Sequence, residues 1–387
     1  YADVAVTGDK SGVIATGATD ANGLFITDVT DAAFQQTEKI TIRCYSSSAD
    51  NGGFPVNVYN NVSQKAVYSI ATTIISHSPG SDIDVSGSSA VEASVSLSGG
   101  AFNILDCIIR GFEFVRVLGS DISTVSLLSI FWENGSASTY FTPDYDNTRS
   151  GSQPAIFYIS QPTDRDEYDD DIIIHEMGHF VADHFSADSS PGGVHYITDA
   201  YDVRLSWSEG WAHFFSSAVR NNAEHVDTMG NVSVMFFNIS LLSQNGTDIS
   251  DSTTGHDNEI AVANILWAIK NSPPANIWSV LISFTENMLP SLEDFYDLWT
   301  AAGYSSIDAV LENRGVFFRS DSYENDNTVA SARSVTVNPA AEEVHTLYPV
   351  DDADWFTFEA QSGVNYYIDT FNLSGADTYV ELYGTDG

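Results

Sequence analysis

"DEYDDDIIIHEMGHFVADHF", residues 166–185, sets a run of acids directly before a His-Glu-x-x-His pattern. Apolar residues recur through it at helical spacing, so it reads as one helix. Residues four apart share a helix face. His175 and His179 therefore project together and can share one metal ion through their imidazole nitrogens. Glu176 stands beside the first of them, within reach of a water on that ion. Asp169, Asp170 and Asp171 fall at the helix start, where acids oppose the positive end of the helix dipole, worth about 0.3–1 kcal/mol each. A sharper reading of the same run is a Ca²⁺ site at Asp166, Asp169 and Asp170, because clustered carboxylates suit a hard cation.

Two histidines need a third ligand. The metzincin spacing would place Gly at 182 and His at 185, where this chain has Ala182 and Phe185, and His184 is one place off. The other route is a Glu on a second helix. "LSWSEGWAHFF", residues 205–215, supplies Glu209 at the start of a predicted helix. Packing the two helices antiparallel would gather His175, His179 and Glu209 around one ion. Three protein ligands leave a position for water, which marks a catalytic zinc site rather than a structural one. Trp207 and Trp211 flank Glu209 and read as core packing, while His225 and His345 read as surface residues and His184 as a helix flank.

Composition narrows the setting. Among 387 residues, 53 acids against 14 bases give a formal charge of −39, which repels nucleic acid and anionic membranes. No apolar run reaches the ~20 residues of a membrane span, so no membrane insertion is expected. The first residue is Tyr1, which reads as a processed or trimmed start. Cys44 and Cys107 either form one disulfide or remain two buried thiols. Acceptor sequons for N-glycans occur at Asn61, Asn134, Asn231, Asn238, Asn245 and Asn372. Together these features favour an extracellular or cell-surface location.

The pattern changes twice along the chain. Residues 1–97 alternate like short strands with turns such as "DANG" and read as a β-sandwich. Residues 98–320 open with the amphipathic "AFNILDCIIRGFEFVRVL" and form a mainly helical domain with a small sheet. Residues 321–387 return to alternation and read as a second β-sandwich that stops one strand short. The fold class is multidomain α+β.

The paired segments "HEMGHFVADHFSA" and "SEGWAHFFSSAV" resemble the two zinc helices of thermolysin-like gluzincins. "GHDNEIAVANILWAI" strengthens the resemblance: there the family's His, followed two residues later by Asn, stabilises the tetrahedral intermediate, which implies that role for His256. "TDANGLFITDV" resembles the carboxypeptidase-regulatory-like sandwich, and "DADWFTFEAQSGVNYYI" with "ADTYVELYGTDG" resembles the bacterial pre-peptidase C-terminal domain. His195 and Tyr196, in "PGGVHY", are rivals to His256. The family also carries an Asp four residues after the ligand Glu, which orients a zinc-bound His. Here that position is His213, a weaker acceptor, and Asp183 on the first helix, or another acid, is the replacement expected.

The resemblance implies a secreted zinc endopeptidase acting on protein or peptide, with Glu176 as general base. The alternative is a non-catalytic filament or layer subunit on a retained peptidase fold. It would form homopolymers by adding a strand to the unfinished C-terminal sandwich.

Overall fold

A computed structural model describes residues 1–28, 36–72, 75–80, 82, 98–146, 151–229, 233–240, 253–271, 274–285, 287–337, 343–348, 352–371 and 378–384. Helices and sheets share the chain, a mixed α+β architecture. Strands β1 (Asp3–Gly8), β2 (Gly12–Ala18) and β3 (Glu38–Tyr45) pair antiparallel in the order β2-β1-β3. Both β5 (Ser69–Ala71) and β6 (Ile75–His77) then pair with β3. Val6 and Ile40 form a small core under this sheet.

The next strand leaves that region. β4 (Val56–Tyr59) pairs in parallel with β7 (Leu128–Trp132), so the division expected at residue 97 is crossed by a strand of the central sheet. Every residue of β7 is buried, as a strand flanked by parallel neighbours requires. Its other neighbour is β9 (Ala155–Tyr158), and β8 (Tyr140–Thr142) closes the order β4-β7-β9-β8 antiparallel to β9.

The main core lies between this sheet and three helices, α1 (Gly99–Val117), α2 (Asp170–Phe185) and α3 (Val203–Arg220). Phe112, Phe180, Phe214, Phe215 and Trp211 are fully buried there. Each such side chain contributes about 1.5–3 kcal/mol of transfer free energy. A hairpin of β10 (Glu224–Met229) and β11 (Ser233–Asn238) follows α3. Gly230 and Asn231, between "EHVDTM" and "SVMFFN", are the turn signal that the sequence carries for it. Then come α4 (Glu259–Ile269), α5 (Ala275–Leu281), α6 (Leu292–Ala301) and α7 (Asp308–Glu312).

Regular structure thins after α7. Among the described residues of 321–387, only β12 (Arg333–Ser334) and β13 (Phe356–Thr357) pair, in parallel. Cys44 and Cys107 are both free thiols. No described helix is long and apolar enough to cross a membrane. Of the sequons, Asn134 is exposed and Asn61 and Asn238 are half-buried, while Asn231, Asn245 and Asn372 lie outside the described residues.

Candidate metal centre

Helices α2 and α3 pack face to face because small residues let them. Gly178 lies against Ala212, and Trp211 reaches across to donate from Nε1 to the Gly178 carbonyl at 2.9 Å. Ser216 Oγ makes a second crossing bond to the Asp171 carbonyl, at 2.9 Å. This close approach carries Glu209 to the two histidines of α2. Its Oε2 lies 3.1 Å from His175 Nε2 and 3.3 Å from His179 Nε2, and the two nitrogens are 3.3 Å apart.

That triangle tests the fit of a metal. Bonds of about 2.0–2.1 Å arranged tetrahedrally put neighbouring donor atoms about 3.3–3.4 Å apart. The three donors already hold that spacing, so the residues fit zinc. Burial works against ionisation of Glu209, but the His179 charge and hydrogen bonds from both histidines hold its carboxyl well below the usual range.

A ligand histidine must keep its metal-facing nitrogen unprotonated. Ser208 Oγ donates to Asp188 Oδ2 at 2.8 Å, which leaves the same oxygen to accept from His179 Nδ1 at 3.1 Å. With its proton fixed on Nδ1, His179 presents a lone pair at Nε2. Asp188, acting through Ser208, thus orients His179, while His175 Nδ1 is buried without a hydrogen-bond partner. Asp183 itself is half-buried, and its carboxyl is pushed up to about 6 by burial and by Asp188.

His213 sits where the family's Asp would. Its ring packs 4.4 Å from that of His175 and 4.8 Å from that of His225, centroid to centroid. Burial first, then the neighbouring His175 and His225, holds its pKa well down, so it stays neutral. His225, expected at the surface, is 1% exposed because its β10 position pairs with Phe237 and the rings stack.

The opposite side of Glu209 faces His195. His195 Nε2 lies 3.4 Å from Glu209 Oε1, and its Nδ1 lies 2.8 Å from Glu259 Oε2. The hydrogen bond to Glu259 raises the imidazole pKa against the opposing effect of burial. Glu259 is 1% exposed at the start of α4. Glu176 is buried beside the triad, and its carboxyl is pushed up chiefly by burial, with His175 and His179 pulling it down. The backbone of Phe141, in the edge strand β8, also bonds to it.

The other expected residues lie elsewhere. His256 packs against Phe318 at 5.5 Å between ring centroids, and the Asn258 of its motif caps α4 by accepting from Ile260 N and Ala261 N. Tyr196 is 64% exposed at the rim. Asp166, Asp169 and Asp170 do not converge: Asp169 bonds Thr228, and Asp170 bonds Asn103 and Arg110. Those acids, with Asp171 paired to Arg220, anchor the start of α2 to three neighbouring elements. Asp166 instead groups with Asp164 and Asp227.

The description "Mycolysin C-terminal domain" matches residues 120–313, a span that holds all of these site residues. The chain belongs to the mycolysin C-terminal domain family. Membership makes the mycolysin-type span peptidase-related and ties it to secreted proteins. No curated protein matches the chain. Within the mycolysin-type span, Ser208, Asp188 and Glu259 escaped sequence reading. Ser208 looks like helix filler, Asp188 sits in a loop with no fixed spacing, and Glu259 resembles an ordinary acid at a helix start.

Proposed function

We propose that this chain is a secreted zinc-dependent endopeptidase. The observation that carries the reading is the convergence of His175, His179 and Glu209 at zinc-ligand spacing, with Glu176 on one side and His195 on the other. Zinc held there supplies a Lewis acid for the scissile carbonyl and makes water acidic enough to attack near neutral pH.

The chain's own residues do the rest. Glu176, with its raised pKa, accepts the proton of the attacking water and returns it to the leaving amine. His195, held by Glu259, donates from Nε2 to the oxygen that gains charge. The edge strand β8 offers backbone groups beside Glu176 to an extended peptide, which would bind by adding a strand. His195 therefore takes the role that the resemblance implied for His256.

The assembly-subunit reading rests on three grounds: His213 in place of the family's Asp, the two flanking sandwiches, and the strand-adding edge expected in the C-terminal one. The Ser208–Asp188 pair gives His179 an orienting partner, whereas His175, against which His213 packs, has no hydrogen-bond partner at Nδ1. The deciding experiment is Glu176→Gln. It keeps zinc, measured by metal analysis, and loses casein hydrolysis. Undiminished hydrolysis would sink the assignment.

A further inference from the structure

Glu259 is a buried acid with one oxygen left over. It is 1% exposed, and its Oε1 has no hydrogen-bond partner. A carboxylate taken out of water in that state is costly. The arginines of the neighbouring helix are committed elsewhere: Arg204 of α3 pairs with Asp202 at 2.7 Å, and Arg220 pairs with Asp171. What faces Glu259 instead is His195, whose far nitrogen meets the ligand Glu209. His195, Glu209 and Glu259 each bring one donor atom within 4.8 Å of the other two.

Packing and backbone bonds fix this group in advance. A side-chain carbon on Gly210 would meet the Glu259 carbonyl at 2.7 Å, so the glycine lets the start of α4 lie against α3 beside Glu209. Asn258, which caps α4, donates through Nδ2 to the carbonyls of Ile197 and Asp199, at 3.0 and 3.1 Å. That cap ties the loop carrying His195 to the helix carrying Glu259. Tyr201 N and Ser206 Oγ add bonds to the Asp257 carbonyl, at 2.8 and 2.6 Å. His345, expected at the surface, also stands among acids with its side chain 14% exposed, but its neighbours Asp321 and Asp354 take no part in the central triad.

We propose that His195, Glu209 and Glu259 form a second, weaker site for a zinc-type ion, which is bridged to the first through Glu209 and acts as a brake on hydrolysis. One imidazole and two carboxylates suit zinc better than calcium. Glu209 can serve both ions: Oε2 faces His175 and His179, while Oε1 faces His195 Nε2 at 3.4 Å. Metals paired in this way lie about 3.5–4 Å apart. Repulsion between the two dications makes the second bind more weakly, so dialysed protein keeps one zinc per chain. The inhibitory consequence rests on the proposed function: the second ion takes up His195 Nε2, the group that there donates to the oxygen gaining charge.

The test reads metal and activity separately. Binding is measured on full-length Glu176→Gln, which hydrolyses nothing, with calcium in excess to fill all-oxygen positions. Zinc titrated against a competing chelator should show a tight equivalent and a weaker one. Adding Glu259→Gln or His195→Asn should remove the weaker equivalent and keep the tight one. With Co²⁺ at both positions the carboxylate bridge couples the spins, so the second equivalent should depress the EPR signal of the first. A tight equivalent alone overturns the second site and leaves the proposed function standing, even if the added variants fail to fold. So does a weaker equivalent that survives in both folded double variants, or a cobalt signal that simply doubles. In the native chain, zinc beyond one equivalent should lower casein hydrolysis by about 10²–10³-fold, as loss of an oxyanion donor does. Unchanged or faster hydrolysis with two zinc ions bound overturns the brake. A native chain that hydrolyses nothing overturns the proposed function and the brake with it, while the titration still decides the site.

Discussion

A side-chain carbon placed on Gly178 would come within 2.9 Å of the Ala212 Cα, closer than such atoms pack. The glycine of "HEMGH" is thus what allows α3 to lie directly on α2. The backbone of α3 carries Glu209 three residues before Ala212, so this one contact sets the distance between the ligand carboxylate and both histidines. Gly210 repeats the device on the far side, where an added carbon would meet Val262 and the Glu259 carbonyl.

Gly178→Ala should therefore act on fold and metal together. Forcing a methyl into this seam costs about 1–3 kcal/mol, as overpacking does. It also moves Glu209 away from His175 and His179. Expected are a lower melting temperature and weaker zinc binding, with the zinc loss exceeding that of an alanine placed elsewhere on α2. Wild-type zinc affinity in the variant would show that the seam does not set the ligand spacing.

Ser208→Ala tests the orientation of His179. The substitution removes the acceptor for Nδ1 and leaves Asp188 Oδ2 without its donor. Loss of such an outer partner typically weakens metal binding about 10–100-fold. Ser208→Thr, which keeps the hydroxyl, should retain most of the affinity. A chelator competition titration separates the two, and equal loss in both would point to packing instead.

The sequence carried the triad of His175, His179 and Glu209 because its signal is periodic. His175, His179 and Glu209 sit on amphipathic helices whose spacing and turn positions are written in the chain. The outer partners carry no such signal. Asp188 and His195 come from the irregular stretch between α2 and α3, and only the folded path brings them to Ser208 and Glu209. Glu259 carries no signal and His225 reads as a surface residue for a related reason: an acid at a helix start and a histidine in a polar stretch resemble exposed residues until α3 and β11 cover them. The acids before α2 were read as helix-start charges or calcium ligands, whereas Asp169, Asp170 and Asp171 each serve a specific neighbour.

Zinc binding should depend steeply on pH. Burial alone would lower the His179 pKa, but the charge and hydrogen bond of Glu209 outweigh it and push the value up to about 9 in the metal-free protein, from 6.5. A raised folded-state value stabilises the metal-free fold fully below about pH 6.5, and that contribution fades as pH climbs through about 9. Zinc must displace the same proton. Its apparent affinity should rise about tenfold per pH unit across that window and then level off. A flat profile between pH 7 and 9 would mean that His179 is not protonated in the metal-free site.

Glu259→Gln should shift the alkaline side of the activity profile. His195 commits Nδ1–H to Glu259, so Nε2 can donate to a developing oxyanion only while the ring carries its second proton. The Glu259 bond raises the His195 pKa and extends that protonated range upward. A neutral glutamine keeps the shape but loses the charge. In the variant kcat/KM should therefore begin to fall at lower pH than in the native chain, while zinc content stays the same. His195→Asn, which cannot carry the charge, should lose about 10²–10³-fold in kcat at the optimum. A variant profile that overlays the native one would remove His195 from the reaction and return the oxyanion role to another donor.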